Sequence, residues 1–170
     1  MTRNYNGDRA WSDQFIPEIQ YVLSGFFAPS VLEVASDMDD CRRNTDLIAV
    51  PSSKRVSCRM RRWKWWNRNE GFTFHYNRKS GSTTEYSKMK AGYGDYFFYG
   101  FEYRDTATLA GYTLLNLSVF REWLGQQEYM REVSDVILNS EEDDMIVFRW
   151  SVLPKESIVY QFLPYEKEES

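Results

Sequence analysis

One histidine, His75, and two cysteines, Cys41 and Cys58, are all that 170 residues offer of the usual nucleophile and soft-metal chemistry. A Ser-His-Asp or Cys-His site would have to run through His75, and nothing near it in sequence supplies the partners. Two lone cysteines form no disulfide framework and no zinc pattern, so they are expected as free thiols. The glycines build no phosphate loop or dinucleotide fingerprint, because Gly92-Tyr93-Gly94 lacks the third glycine and a preceding strand. No apolar run approaches the roughly eighteen residues of a membrane span. Met1 to Asp8 lacks the apolar core of a signal peptide. The expectation is an intracellular, cytoplasmic protein with no membrane partner, whose site chemistry rests on carboxylates and cations.

Aromatic residues, by contrast, are abundant at 17% of the chain, enough with the aliphatic residues to fill a core. One domain over residues 1–170 is expected, with 1–10 and 165–170 flexible and no linker between them. The net charge of −4 hides a strong asymmetry. Residues 42–90 carry 13 basic side chains against three acids, a balance of +10. Residues 1–41 balance at −5 and residues 128–170 at −7. Either the basic band faces a polyanion, or the acidic flanks fold over it and neutralise it.

Periodicity predicts a helix from Asp13 to Ser24, with Ser12 as cap, Pro17 in its first turns and Gly25 at its end. Ser30–Ala35 is read as a short strand or else a second helix start, and Ser36–Asn44 as a polar loop. Strands follow at Thr45–Val50 and Lys54–Trp63. In the second of these Val56, Cys58 and Met60 share one face, and Arg55, Ser57, Arg59 and Arg61 the other, open to water or a ligand. Phe72–Arg78 reads as a third strand, with Phe72, Phe74 and Tyr76 on one face. Ser82-Thr83-Thr84-Glu85 reads as a capping box for a helix that Gly92 stops. Asp95–Phe101 is a candidate central strand buried on both faces, and Gly111–Leu117 is another strand. Ser118 is read as the cap of a helix to Gln127, with Tyr129–Leu138 as more helix. An acidic loop follows at Asn139–Asp144, then a strand at Met145–Val152 and an edge strand at Ile158–Phe162. This is an α/β fold: a single mixed β-sheet flanked by helices.

Carboxylates and cations then define the candidate site. Hard divalent ions such as Mg²⁺ take oxygen ligands, and a nearby cation stabilises charge growing on a phosphoryl group. Asp46 opens a buried strand, Glu18 lies on the first helix, and Glu85 and Lys88 sit one turn apart on a later helix. The order helix, strand, acid-bearing strand, cation-bearing strand, helix, strand, over Gln14–Tyr103, resembles the core of the PD-(D/E)XK, or restriction-endonuclease-like, nuclease superfamily. The resemblance implies a Mg²⁺-binding aspartate at Asp46. Ser57-Cys58-Arg59 takes the position of its (Asp/Glu)-x-Lys motif. Serine there cannot replace the acid, and arginine stays protonated and cannot act as a base. In some members these groups migrate to the following helix. That implies catalytic roles for Asp46, Glu85, Lys88 and Arg59, with metal held by Asp46, Glu18 and Glu85. A looser similarity, carried by the Ser80–Phe101 region with its Gly92-Tyr93-Gly94-Asp95-Tyr96-Phe97-Phe98-Tyr99-Gly100-Phe101 run, is to uncharacterised proteins of phages and mobile elements.

Two functional expectations follow. The first is a nucleic-acid-directed protein with a nuclease-like fold, a Mg²⁺-dependent endonuclease if its migrated site is intact. Nucleic acid would contact Arg55, Arg61, Arg62, Lys64, Trp65, Trp66, Arg68, Arg78 and Lys79 through phosphates and stacking. The second is a non-enzymatic interaction protein of a phage or mobile element. It would regulate or inhibit a host protein complex through the basic Trp-rich hairpin and the acidic C-terminal part.

Overall fold

The computed structural model describes residues 5–68, 70–78, 81–127, 134–137 and 143–163. Two helices come first, α1 over Tyr5–Asp13 and α2 over Ile16–Phe27. The predicted single helix from Asp13 is thus two, broken around Gln14 and Phe15. Helix α1 includes residues 5–10, which were expected to fray. It is held from outside: Arg9 bonds Asp37 at 3.1 Å and Asp40 at 3.0 Å, and the Trp11 indole docks on Glu102 at 3.2 Å. Pro17 lies in the first turn of α2, where its missing N–H costs nothing. Gly25 does not end α2, which continues to Phe27 because Leu23 and Phe27 still have core to reach.

Strands β1 (Val31–Val34), β2 (Leu47–Val50), β3 (Lys54–Arg61), β5 (Tyr96–Glu102), β6 (Leu109–Asn116) and β9 (Ile158–Phe162) form a six-stranded mixed sheet in the order β1-β2-β3-β5-β6-β9. Strand β3 pairs with β5 in parallel, and every other pair is antiparallel. The predicted single sheet needs correction. Strands β4 (Gly71–Arg78), β7 (Ser134–Ile137) and β8 (Asp143–Arg149) form a second, antiparallel sheet in the order β4-β8-β7. Residues 134–137 are therefore strand rather than helix, and residues 128–133 lie outside the described part. The polar loop read at 36–44 contains helix α3 (Asp37–Arg43), capped by Ser36 Oγ, which accepts from the Asp39 N–H at 3.2 Å. The remaining helices are α4 (Glu85–Lys90) and α5 (Leu117–Gln126). Their caps are Thr84 and Asn116, two residues after the expected Ser82 and two before the expected Ser118.

Two cores divide the layers. One face of the large sheet packs on α2 through Phe15, Ile19, Leu23, Leu47, Val56 and Phe98. The other packs on α4, α5 and the small sheet through Phe72, Phe74, Phe97, Phe120 and Phe148. Strand β5 serves both cores, as its near-continuous aromatic run predicts. Phe72 lies at the middle of the second core, stacked on Phe148 at a centroid distance of 5.6 Å and edge-on to Phe120 at 5.5 Å.

The small sheet depends on one close approach. A Cβ built on Gly71 would stand 2.2 Å from the Phe148 carbonyl oxygen and 2.8 Å from its carbon. These are backbone atoms of the paired strand and cannot swing aside. Gly71→Ala is expected to lower stability by about 1–3 kcal/mol, the usual cost of overpacking, through separation of β4 from β8. Urea unfolding measures this, and a change within about 0.5 kcal/mol, typical of surface positions, would count against the packing described.

Candidate acidic and basic site on strand β3

The site starts with the alternation of β3. Val56 and Met60 enter the α2-side core with Cys58 packed against it, as predicted. Arg55, Ser57, Arg59 and Arg61 point the other way, but that face is not open. Ser57 is 2% exposed and Arg59 9%, because β4, β8 and α4 lie over them. A guanidinium in that position needs a partner. Glu85, the first residue of α4, supplies it through Oε2, which accepts from Arg59 Nη1. The same oxygen accepts the His75 backbone N–H at 3.1 Å, and Arg59 Nη2 lies 3.4 Å from His75 Nε2. Burial pushes the Glu85 carboxyl up, but Arg59, His75 and Arg61 together outweigh it and hold the group below its ordinary value of 4.5.

Asp46 sits beside this pair. Its backbone N–H donates to Val56 O at 2.9 Å, which extends the β2–β3 pairing one residue beyond the strand. Its Oδ2 accepts the Cys58 N–H at 2.5 Å. Burial is the main cause that pushes its pKa up to about 7, from 3.8; the Cys58 hydrogen bond opposes, and the charges of Asp40, Glu85 and Asp13 add to the rise. The Cys58 thiol is also pushed well up, by burial and by Asp46. Ser57, at the position where an acid would be needed, is occupied locally: its Oγ donates to Asn44 O and accepts from Asn44 Nδ2 at 3.1 Å.

The chain therefore brings Asp46, Glu85 and Arg59 into one electrostatic neighbourhood. It does not bring Glu18 there. Glu18 lies on α2, across the large sheet from α4, and its Oε2 accepts the Leu109 N–H at 3.0 Å. Lys88 turns toward α3, where its Nζ donates to Cys41 O. Asp40 was not singled out in the sequence. Its carboxyl, raised mainly by burial against the pull of Arg9, is close enough to feel Lys88 and to raise Asp46. The acids in the first turn of α3 and Arg42-Arg43 in its last turn mark it as a helix. Among the described residues, no three or more His, Cys, Asp or Glu side chains are grouped to hold a metal ion.

Among the described residues, three of the predicted nucleic-acid contacts, Arg55, Arg61 and Arg62, are occupied within the protein. Arg61 donates to Tyr99 Oη at 2.8 Å and to Thr73 Oγ1. Arg55 lies 3.6 Å from Asp95, whose Oδ2 also accepts the Arg55 N–H at 2.8 Å. Arg62 reaches Asp8 at 3.4 Å and lies 4.2 Å from the centre of the Trp11 ring. Lys64 lies over the Trp65 ring at 5.7 Å, and Trp65 is 40% exposed. Arg78 is half-buried, opposite Asp143 in the β4–β8 register. The side chains of Trp66 and Arg68, and Lys79 as a whole, lie outside the described residues. An acidic flank folding over the basic band is thus visible at Asp8 on Arg62.

No helix among the described residues is long and apolar enough to cross a membrane. Comparison with known proteins finds no matching protein-family model, no matching curated protein and no matching solved structure.

Proposed function

We propose that this chain is a nucleic-acid-directed protein with a nuclease-like core, and that its reaction is Mg²⁺-dependent phosphodiester hydrolysis at a migrated site of Asp46, Glu85 and Arg59. The observation that carries this reading is that Glu85 on α4 pairs with Arg59 on β3 while Asp46, beside β2, accepts the N–H of the adjacent Cys58. In the resemblance, Glu85 makes good from the following helix the acid that Ser57 does not provide. Arg59 occupies the lysine position, as a fixed charge and not as a base. The donor set fits a hard cation. Asp46 and Glu85 each use one oxygen in hydrogen bonds, which leaves Asp46 Oδ1 and Glu85 Oε1 as ligand atoms. Bound Mg²⁺ would polarise the phosphoryl oxygen and lower the pKa of its water. Arg59 would hold Glu85 in place and offset charge developing on the phosphate. Lys64 with exposed Trp65 offers a cation and an aromatic face for an unpaired base.

A second reading, a non-enzymatic interaction protein, is favoured by a different observation. The basic band is largely paired within the fold, while Phe26, Tyr160 and Phe162 stay 39–45% exposed. One experiment separates the two readings. Purified protein is incubated with plasmid and with single-stranded oligonucleotides, in Mg²⁺ or Mn²⁺ and in chelator. Metal-dependent cleavage that Asp46→Asn abolishes and Lys88→Ala spares is the expected result. Salt-sensitive binding without cleavage removes the catalytic part of the proposal. No binding at low salt removes the nucleic-acid reading and leaves the interaction protein.

A further inference from the structure

Far from Asp46, on the α2 side of the large sheet, a carboxylate is buried with little to hold it. Glu102 ends β5 and is 3% exposed. Its Oε1 accepts the Trp11 indole N–H at 3.2 Å. Its Oε2 is buried and has no hydrogen-bond partner. A neutral indole donor is a weak counterpart for a charge removed from water, and such charges are ordinarily paired or bound to a metal. The Arg62 guanidinium lies over the same Trp11 ring at 4.2 Å. It is bonded to Asp8 and makes no ion pair with Glu102 among the described residues.

A second carboxylate reaches the same place. Leu109 faces Glu102 in the β5–β6 register, just past an irregularity at Phe101. The Leu109 N–H is the group that Glu18 accepts, at 3.0 Å, through Oε2. Glu18 is half-buried, whereas Glu102 is enclosed. Glu18 on α2 thus binds the residue that pairs with Glu102 on β5, where the pairing of β5 and β6 is irregular. One of the two is enclosed and has an oxygen without a partner. The oxygens left over, Glu18 Oε1 and Glu102 Oε2, are hard donors at different depths.

We propose that Glu18 and Glu102 bind a divalent metal ion of the oxygen-preferring class at the end of β5 and β6, beside the Trp11 indole. Glu102 is the inner ligand and Glu18 the outer one, with the remaining positions left to water as such ions accept. This site is separate from Asp46 and Glu85 and does not depend on the chain's being a nuclease. It ties α1, α2 and the sheet together through one ion.

The test uses the full chain carrying Asp46→Asn, so that the other carboxylate site contributes nothing. Mn²⁺ binding is followed by water-proton relaxation, and Tb³⁺ binding by luminescence excited through tryptophan. One saturable site per chain is expected. Glu102→Gln should weaken Mn²⁺ binding at least about tenfold, as disturbance of a metal's ligand set does. Glu18→Gln, at a half-buried position that spares the fold, should weaken it too. Trp11→Phe should leave the Mn²⁺ stoichiometry unchanged and remove most of the sensitised Tb³⁺ emission, although six tryptophans are present in the chain. Absence of saturable binding in the Asp46→Asn chain, or binding that neither glutamine substitution weakens, overturns the proposal. Emission that survives Trp11→Phe places the ion elsewhere and overturns it equally.

Discussion

Asparagine in place of Asp46 is expected to make the protein more stable at about pH 8 by roughly 2–4 kcal/mol, and to change its stability very little at about pH 4 or below. The folded pKa of Asp46 is about 7 against 3.8 in the ordinary state. Below 3.8 the group is protonated in both the folded and the unfolded chain and contributes nothing. Between the two values the folded chain keeps a proton that the unfolded chain releases, so stability falls as pH rises. Above 7 both states are ionised and the penalty is constant. Asparagine keeps an oxygen to accept the Cys58 N–H and removes the charge, so it removes the penalty but not the hydrogen bond. Urea unfolding at the two pH values measures the difference. Equal stability changes at both would mean that Asp46 is not held in a charge-averse setting. Retaining at neutral pH a carboxylate that destabilises the fold is the pattern of a functional group.

Loss of Arg59 is expected to have an effect of similar size and opposite sign. Arg59→Met keeps much of the stem and removes the charge, so buried Glu85 loses its paired cation and keeps only the weaker influence of His75 and Arg61. The expected cost is about 3–5 kcal/mol at neutral pH, the range for breaking a buried pair from one side. The side chains are 10% and 21% exposed, so solvent screening lowers this little. Adding Glu85→Met should recover part of the loss, although the His75 N–H then loses its acceptor. Glu85 is held below 4.5 in the folded state. Its pairing therefore stabilises above that value and fades as pH falls through the folded pKa, and the gap between wild type and Arg59→Met should narrow in acid. A double-mutant cycle by urea unfolding tests this. A coupling under about 1 kcal/mol, the size found for exposed pairs, would show that the pair is solvated after all.

Much of the large sheet was legible because its strands advertise their faces. Alternation in Lys54–Arg61 separated core from cation face correctly, and the aromatic run at 95–101 marked the strand buried on both sides. What covers the cation face was not legible. Phe72 and Phe74 show that β4 has an apolar side, but local pattern does not say which sheet a strand joins. The Arg59–Glu85 pairing spans 26 residues and exists only because β4 and α4 fold back over β3. Helix α3 was missed because seven residues with no buried side chain show no apolar stripe, and only Ser36, the early acids and Arg42-Arg43 signal it. The caps at Thr84 and Asn116 were misplaced because several hydroxyls and amides stand close together, and backbone geometry decides among them. Asp46, Glu85 and Arg59 were singled out by residue type and by the family resemblance, but the Arg59–Glu85 pairing was not legible. Glu18 was misplaced because a helix face read from sequence does not say which layer it meets. Glu102 carried no signal in sequence: inside an aromatic run it reads as the residue that ends a strand.

The order of strands also governs how the sheet is assembled. Strands β1, β2 and β3 are consecutive antiparallel neighbours, and so are β5 and β6, so each group can pair as soon as its turns close. The parallel seam between β3 and β5 must wait for the 3₁₀ turn at Trp63–Arg68, for β4 and for α4 to be laid down between them. Long closures of this kind are slow. The outer side of β6 waits longer still, because residues 117–157 separate it from β9. On the ribosome, β6 therefore presents an unpaired edge of Tyr112, Leu114 and Leu115 until the chain past Phe162 has emerged. That interval is the time at which nascent copies of this protein are most exposed to joining one another edge to edge.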